Sequence, residues 1–392
     1  MLTALVKNRS LTYFQPAILR FQDQKTSHSG GIASVAIAQT SMVTGTTTTG
    51  FNSQLNGFLE KLNALRAADA QRLDLTKTNK NARNTGVKRA WEYEKADVEM
   101  GGDGSADWNK QEQQEILEHG KIRQKTMPDG SKDGPEGHHQ KNAADNPEHQ
   151  ADPDNIKFFK DKDTHRKEGH GGDTGNPTDG PMTDKNAMLK RTNFRRVFKN
   201  ELRGVGIAVA IGLGVGMTIG FVVSLAQSGV SPESLRLAAI DGAKGGLEAG
   251  LLAGVGYGVG RTIGAIASRA ASGVLANMGL AITDNIAKMV NMGVVGGLTI
   301  IVFSAYQFVK LKLKGAATRD ALMQVGKQAL FSLSLLAVSI VAQGIWGGHV
   351  GIIVSVSIGI IFVSYSAIES IHQRRFGEKV RVYMIDKCRP VL

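Results

Sequence analysis

The chain has 392 residues, with 47 Lys and Arg against 35 Asp and Glu and a formal net charge of +12. A basic balance of this size favours an anionic partner, either nucleic acid or the anionic face of a membrane. The single cysteine, Cys388, excludes an intramolecular disulfide and a cysteine-based structural zinc site, so any metal must be held by histidine, carboxylate or amide ligands.

This length allows two or three domains, and composition divides the chain near residue 203. The first part is polar and charged; from Gly204 onward Gly, Ala, Val, Ile and Leu dominate. Residues 1–50 read as a flexible tail. Their opening, MLTALVKNRSLTYFQPAILRFQ, lacks the continuous apolar run of a secretory signal, Met42 offers an alternative start, and 28–50 has the composition of a linker. Residues 51–89 read as a helical arm. An amphipathic helix over about 52–75 places Phe58, Leu59, Leu62 and Leu65 on one stripe, suited to core packing. The basic KTNKNARNTGVKRA that follows is suited to phosphate contact without base reading.

Five of the nine histidines fall between residues 136 and 180, a density that a solvated linker has no use for. Asn, Asp, Pro and Gly around short apolar pieces such as NIKFF predict a compact β-hairpin, followed by a short helix carrying His165. Two strands and a helix can gather His138, Asn155 and His165 around one metal, and neutral imidazole suits zinc, nickel and related ions. A further, unliganded histidine can then take a proton from water. His149, within NPEHQAD, reads as a scattered polar residue.

The ordered motifs here are AWEYEKADVEMGGDGSADWNKQEQQEILEHGKI at 90–122, GHH at 137–139, DPDNIKF at 152–158 and EGHGGDTGNPTDG at 168–180. Together they resemble an HNH-superfamily nuclease of the GHH type, common among bacterial polymorphic toxins, and are similar also to the colicin DNases. The resemblance covers about 90 residues, under a quarter of the chain. It implies a ββα-metal nuclease domain over 90–185 using one divalent ion, Mg, Zn or Ni. By the same resemblance His138 and His165 would ligate the metal with His170 as a third ligand, and His139 would be the general base. Asn155 would hold the loop between the strands and orient His139 through its backbone. Glu136 would position a basic side chain near the phosphate. Ten positions separate Asn155 from His165, where nine is usual, and Arg166 and Lys167 stand where an apolar residue normally packs the helix. Whether His165 or His170 is the principal ligand therefore stays open.

Residues 186–203, rich in Lys and Arg, read as a basic juxtamembrane linker to an α-helical, Gly-rich transmembrane domain over 204–371. A span takes roughly 20 apolar residues, and candidate spans lie near 204–226, 289–309, 328–343 and 350–368. The last two would form a hairpin about QGIWGGH. Residues 245–282 carry Glu248, Arg261 and Arg269, and read as interfacial, re-entrant or packed inside the bundle. With four spans, the basic blocks at 190–203, 310–320 and 372–381 share one side, which the positive-inside rule makes cytoplasmic. The nuclease domain and the basic tail, 372–392, would then face the cytoplasm from a bacterial inner membrane. Gly212, Gly216 and Gly220, and likewise Gly256, Gly260 and Gly264, recur at intervals of four and allow close helix packing, within the chain or in a homo-oligomer. Neither run follows a predicted strand, which argues against a dinucleotide-binding loop.

The expectation is an α+β nuclease fused to a helical membrane domain, cutting DNA with little sequence preference as a toxin or defence effector. An immunity protein is an expected partner. The alternatives are an RNase on the same scaffold, and a pore-forming or translocating protein with a vestigial nuclease region.

Overall fold

A computed structural model describes residues 37–41, 44–45, 47–173, 175–277, 284–346, 350, 353–354, 356–361, 365 and 376–383. The chain divides into two compact units, one of residues 47–200 and one of residues 1–46 with 201–392.

The 47–200 unit is mostly helical, with two small strand pairs. Helix α1, residues 47–72, packs Leu55 and Leu62 with Tyr93, Ala96, Met100 and Leu189. Of its expected stripe, Leu62 is buried while Phe58 and Leu59 pack at the margin of that cluster. Helix α2 (Lys80–Glu99) starts where the Asn79 side chain accepts from the Asn81 amide, a polar cap for an otherwise orphaned donor. Arg89 of α2 pairs with Asp69 of α1 at 2.6 Å, and Arg66 of α1 reaches Asp152 at 2.8 Å. Helix α3 (Lys110–His119) opens on a reciprocal capping box between Asn109 and Glu112 and closes on Gly120 at φ 76°, a left-handed cap that glycine takes without penalty.

Strands β1 (Lys125–Thr126) and β2 (Lys132–Asp133) form a small hairpin. Strands β3 (Glu136–His139) and β4 (Ile156–Phe159) pair antiparallel, His138 opposite Lys157 and His139 opposite Ile156. Trp91, Trp108 and Phe158 hold this pair to α2 and α3, with Trp91 and Phe158 centroids 4.2 Å apart. A single helical turn, α4 (Lys162–Thr164), leads into a five-residue π-type turn, His165–Gly169. The short helix expected to carry His165 is therefore one turn long, and His165 begins the wider turn that follows it.

Residues 186–200, expected within a basic linker, are helical and belong to this unit. Helix α5 (Lys185–Ser228) begins with Lys185, whose side chain is fully buried and donates to Glu94 at 3.0 Å. Leu189 is also fully buried, and the Asn186 carboxamide accepts from the Tyr93 hydroxyl.

In the other unit, residues 37–41 are helical where a flexible tail was expected, and Ile37 is buried with Ala208, Ala253, Tyr257 and Phe303. The expectation for residues 1–36 lies outside the described residues. After α5 come α6 (Pro232–Asn277), α7 (Asp284–Leu313) and α8 (Thr318–Trp346). Among the described residues three helices are long and apolar enough to cross a membrane by length and composition, Lys185–Leu225, Met289–Leu313 and Thr318–Ala342. The fourth expected span, 350–368, falls partly outside the described residues, of which 353–354 and 356–361 are helical.

Of the readings open for residues 245–282, those up to 277 lie in α6, which packs against both α5 and α7. Glycine makes the α5 contact possible, since a Cβ on Gly216 would collide with the Gly245 carbonyl oxygen. The second glycine row serves α7, with Gly260 and Gly264 each leaving room for Val295. Both rows are thus engaged within one chain. Glu248 pairs with Lys310 of α7 at 2.5 Å, and Arg261 with Glu201 of α5 at 2.5 Å, so these charges of α6 have partners. Pairing is what makes such residues tolerable in an apolar helix bundle.

Candidate metal centre

Adjacent residues of a strand point to opposite faces, and β3 uses this to give its two histidines different surroundings. His138 is buried, its ring 5.7 Å from that of Phe159 and 5.1 and 4.7 Å from those of His165 and His170. His139 faces the loop between the strands, with Nε2 3.0 Å from the Gln150 carbonyl oxygen. Gly137 before them is closely covered by α2, since a Cβ there would lie 3.0 Å from Val87 and 3.1 Å from Ile156.

His138, His165 and His170 each offer a ligand atom, all within 4.8 Å of one another. Two of the rings have their tautomers fixed by their outer partners. Nδ1 of His165 donates to Glu136 at 2.7 Å, and Nδ1 of His170 donates to the Asn176 carbonyl at 3.3 Å, leaving Nε2 with a lone pair in both. Nδ1 of His138 lies 3.0 Å from Nε2 of His165. Burial, and then the neighbouring His165 and His170, push the His138 pKa down to about 4, so this ring is neutral near pH 7. Three convergent imidazoles, one backed by a carboxylate, are a donor set for a zinc- or nickel-like ion rather than for Mg, which prefers oxygen. The residues fit a metal, and the structure brings His138, His165 and His170 together.

Glu136 lies 2.7 Å from His165 in an ion-pair geometry, where a basic side chain near phosphate had been expected. A carboxylate behind a metal-binding imidazole fixes its tautomer and raises its basicity, and losing it typically costs about 10–100-fold in metal affinity. Glu136→Gln is therefore expected to weaken metal binding by roughly that factor while leaving the fold intact. Calorimetric titration with Zn²⁺ against the unsubstituted chain measures it, and equal affinities would show that Glu136 does not support the ligand.

Asn155 is fully buried and stands apart from the three-histidine group. Its Oδ1 accepts from the Lys141 amide at 2.7 Å, and Nδ2 donates to the Lys141 and His149 carbonyls at 3.0 and 3.2 Å. Its own carbonyl accepts from the Gln140 amide at 2.8 Å. These bonds fix both ends of the stretch from Gln140 to Gln150, whose last carbonyl receives His139. Because a carbonyl can only accept, Nε2 of His139 carries the proton and Nδ1 holds the lone pair. Burial lowers the His139 pKa; the hydrogen bond to Gln150 acts against this, while Arg83 acts with it.

Gln150 was not picked out from sequence, and a contribution made through a backbone carbonyl leaves no mark on residue type. Its side chain is buried, accepting from the Asn79 amide at 2.7 Å and donating to the Lys77 carbonyl at 2.9 Å. Beside the histidines lies an open cleft of about 700 Å³, lined by His138, His170, Lys157, Asn176 and Thr178 among others. Lys157 gives it a cation.

No curated protein and no solved structure matches the chain. The comparison with protein families does find a match. Residues 74–160, which include Glu136, His138, His139 and Asn155 and end before His165, match the family Tox-GHH, the GHH signature containing HNH/Endo VII superfamily nuclease toxin.

Proposed function

We propose that the chain is a membrane-anchored, metal-dependent HNH endonuclease of ββα-metal type that hydrolyses DNA phosphodiester bonds with little sequence preference, as a bacterial toxin or defence effector. The observation that carries this reading is the placement of three converging imidazoles on one side of β3 and a half-buried, lone-pair-bearing His139 on the next residue. The match of residues 74–160 to a nuclease-toxin family supports it. His138, His165 and His170 would hold one divalent ion, which supplies charge stabilisation at the phosphate and the leaving oxygen when bound. His139 Nδ1 takes a proton from water, and Asn155 and Gln150 hold that imidazole in place. Lys157 in the cleft attracts the phosphate. No further recognition element is assigned to base reading, so cleavage is indifferent to sequence.

The nuclease domain, 90–185 together with the helical arm before it, would act from the cytoplasmic side of a bacterial inner membrane, with an immunity protein as partner. The full chain in detergent micelles, stripped with EDTA and incubated with supercoiled plasmid, should be inert. Adding Zn²⁺ or Ni²⁺ singly should restore nicking, and Mg²⁺, which prefers oxygen ligands, should restore it least. Cleavage of an RNA transcript but not of plasmid would replace DNA by RNA as substrate. A well-folded chain that cuts neither polymer with any metal would overturn the enzyme reading.

A further inference from the structure

The first turns of α5 carry two adjacent rows of residues at intervals of four. Lys190, Phe194 and Phe198 form one row, and Arg191, Arg195 and Lys199 the other. Residues four apart on a helix share a face, so an aromatic row runs beside a cationic row. All six are exposed, Phe194 by 67% and Phe198 by 54%, and the two rings stack with centroids 6.1 Å apart. The opposite face is the one spent on folding. There Leu189 and Asn193 are buried, and Arg196 bonds Asn193, Gln54 and the Phe51 carbonyl with its guanidinium over the Phe51 ring. Among the described residues Lys190, Arg191, Arg195 and Lys199 make no ion pair.

Two unpaired stacked phenylalanines in water are an anomaly beside so many unpaired cations, and one surface resolves both. We infer that this face of α5 lies on an anionic lipid surface, with Phe194 and Phe198 among the headgroups and acyl boundary and the cations on lipid phosphates. This rests on the membrane-anchored reading of the chain and names the lipid class that meets it. Two observations favour lipid over nucleic acid. The face belongs to Lys185–Leu225, one of the three helices apolar enough to cross a membrane, and the uncharged run from Gly204 follows on the same helix. At about 1.5 Å per residue, Phe198 and Phe194 precede Gly204 by about 9 and 15 Å; the headgroup zone is about 5–8 Å thick on each side, so the rings reach it where α5 tilts toward the surface. Aromatic rings belong at that level, and clustered Lys and Arg next to a span favour anionic lipid.

The test uses the full chain with Cys388→Ser and a spin label on Phe194→Cys, in nanodiscs of phosphatidylcholine with or without phosphatidylglycerol. The label should become more accessible to oxygen and less to a water-soluble nickel chelate when phosphatidylglycerol is present. Arg191→Gln, Arg195→Gln and Lys199→Gln together should abolish that shift, and the three corresponding Lys or Arg exchanges should retain it. A label equally water-exposed in both lipids overturns the inference. So does a triple variant that keeps the lipid response but loses duplex DNA binding in lipid-free micelles, which would assign the row to DNA. Carbonate extraction reads the anchor separately. If carbonate strips the chain from membranes, the anchor reading fails, and the lipid face then stands or falls on charge-dependent flotation with phosphatidylglycerol vesicles.

Discussion

His139→Ala should lower plasmid cleavage by about 10²–10⁴-fold, the usual contribution of a positioned general base, without changing affinity for the metal. The two effects separate because of the strand. His138 and His139 are adjacent, yet one faces His165 and His170 and the other the Gln150 carbonyl. Removing the His139 imidazole leaves the three-histidine group untouched. Single-turnover cleavage at saturating metal reads the first effect, and calorimetric metal titration reads the second. An His139→Ala chain that cuts at the original rate would remove this residue from the chemistry, whatever the metal does. Asn155→Ala provides the companion result. It should slow cleavage by a smaller factor, because the loop bearing Gln150 loosens while the base remains.

The largest effect on stability is expected at Glu94. Its carboxylate accepts from Lys185, the Ser105 amide and hydroxyl, and the Trp108 indole at 2.5–3.0 Å, and both Glu94 and Lys185 side chains are fully buried. Breaking a buried pair from one side costs about 3–5 kcal/mol, since the remaining charge is stranded in low dielectric. Against a typical domain stability of about 5–15 kcal/mol, Glu94→Ala should remove a large share of the stability of the 47–200 unit. Lys185→Met should be nearly as severe, because it strands the carboxylate. The double variant Glu94→Leu with Lys185→Met should recover much of the loss, since no charge is then buried. Urea unfolding followed through Trp91 and Trp108 emission checks the series, and single variants as stable as the unsubstituted chain would contradict it.

Residues whose chemistry is carried by type and spacing were legible in the sequence. GHH and the two later histidines marked the imidazoles that the fold brings together, and glycines at intervals of four marked close helix packing. Residues whose contribution depends on a partner distant in sequence were not. Glu136 was expected beside a basic group, but its position opposite His165 depends on the turn after β4, whose π form no local pattern announced. Leu189 read as part of a basic linker, and Lys185 as the last residue before it, because neighbouring Lys and Arg dominate the composition there. Only their long-range contacts with Glu94 and Tyr93 make them core. Likewise α6 carries charges that lower its average hydropathy, and the partners that neutralise them lie on other helices.

The buried start of α5 also bears on how the protein is made. The 47–200 unit lacks its internal cation until Lys185 has been added, and the uncharged run of α5 begins at Gly204, only nineteen positions later. At translation rates of about 5–20 residues per second, that interval lasts roughly 1–4 seconds. A ribosome therefore completes the core of the 47–200 unit and begins the apolar stretch of α5 almost together, so the one folds while the other is still being made.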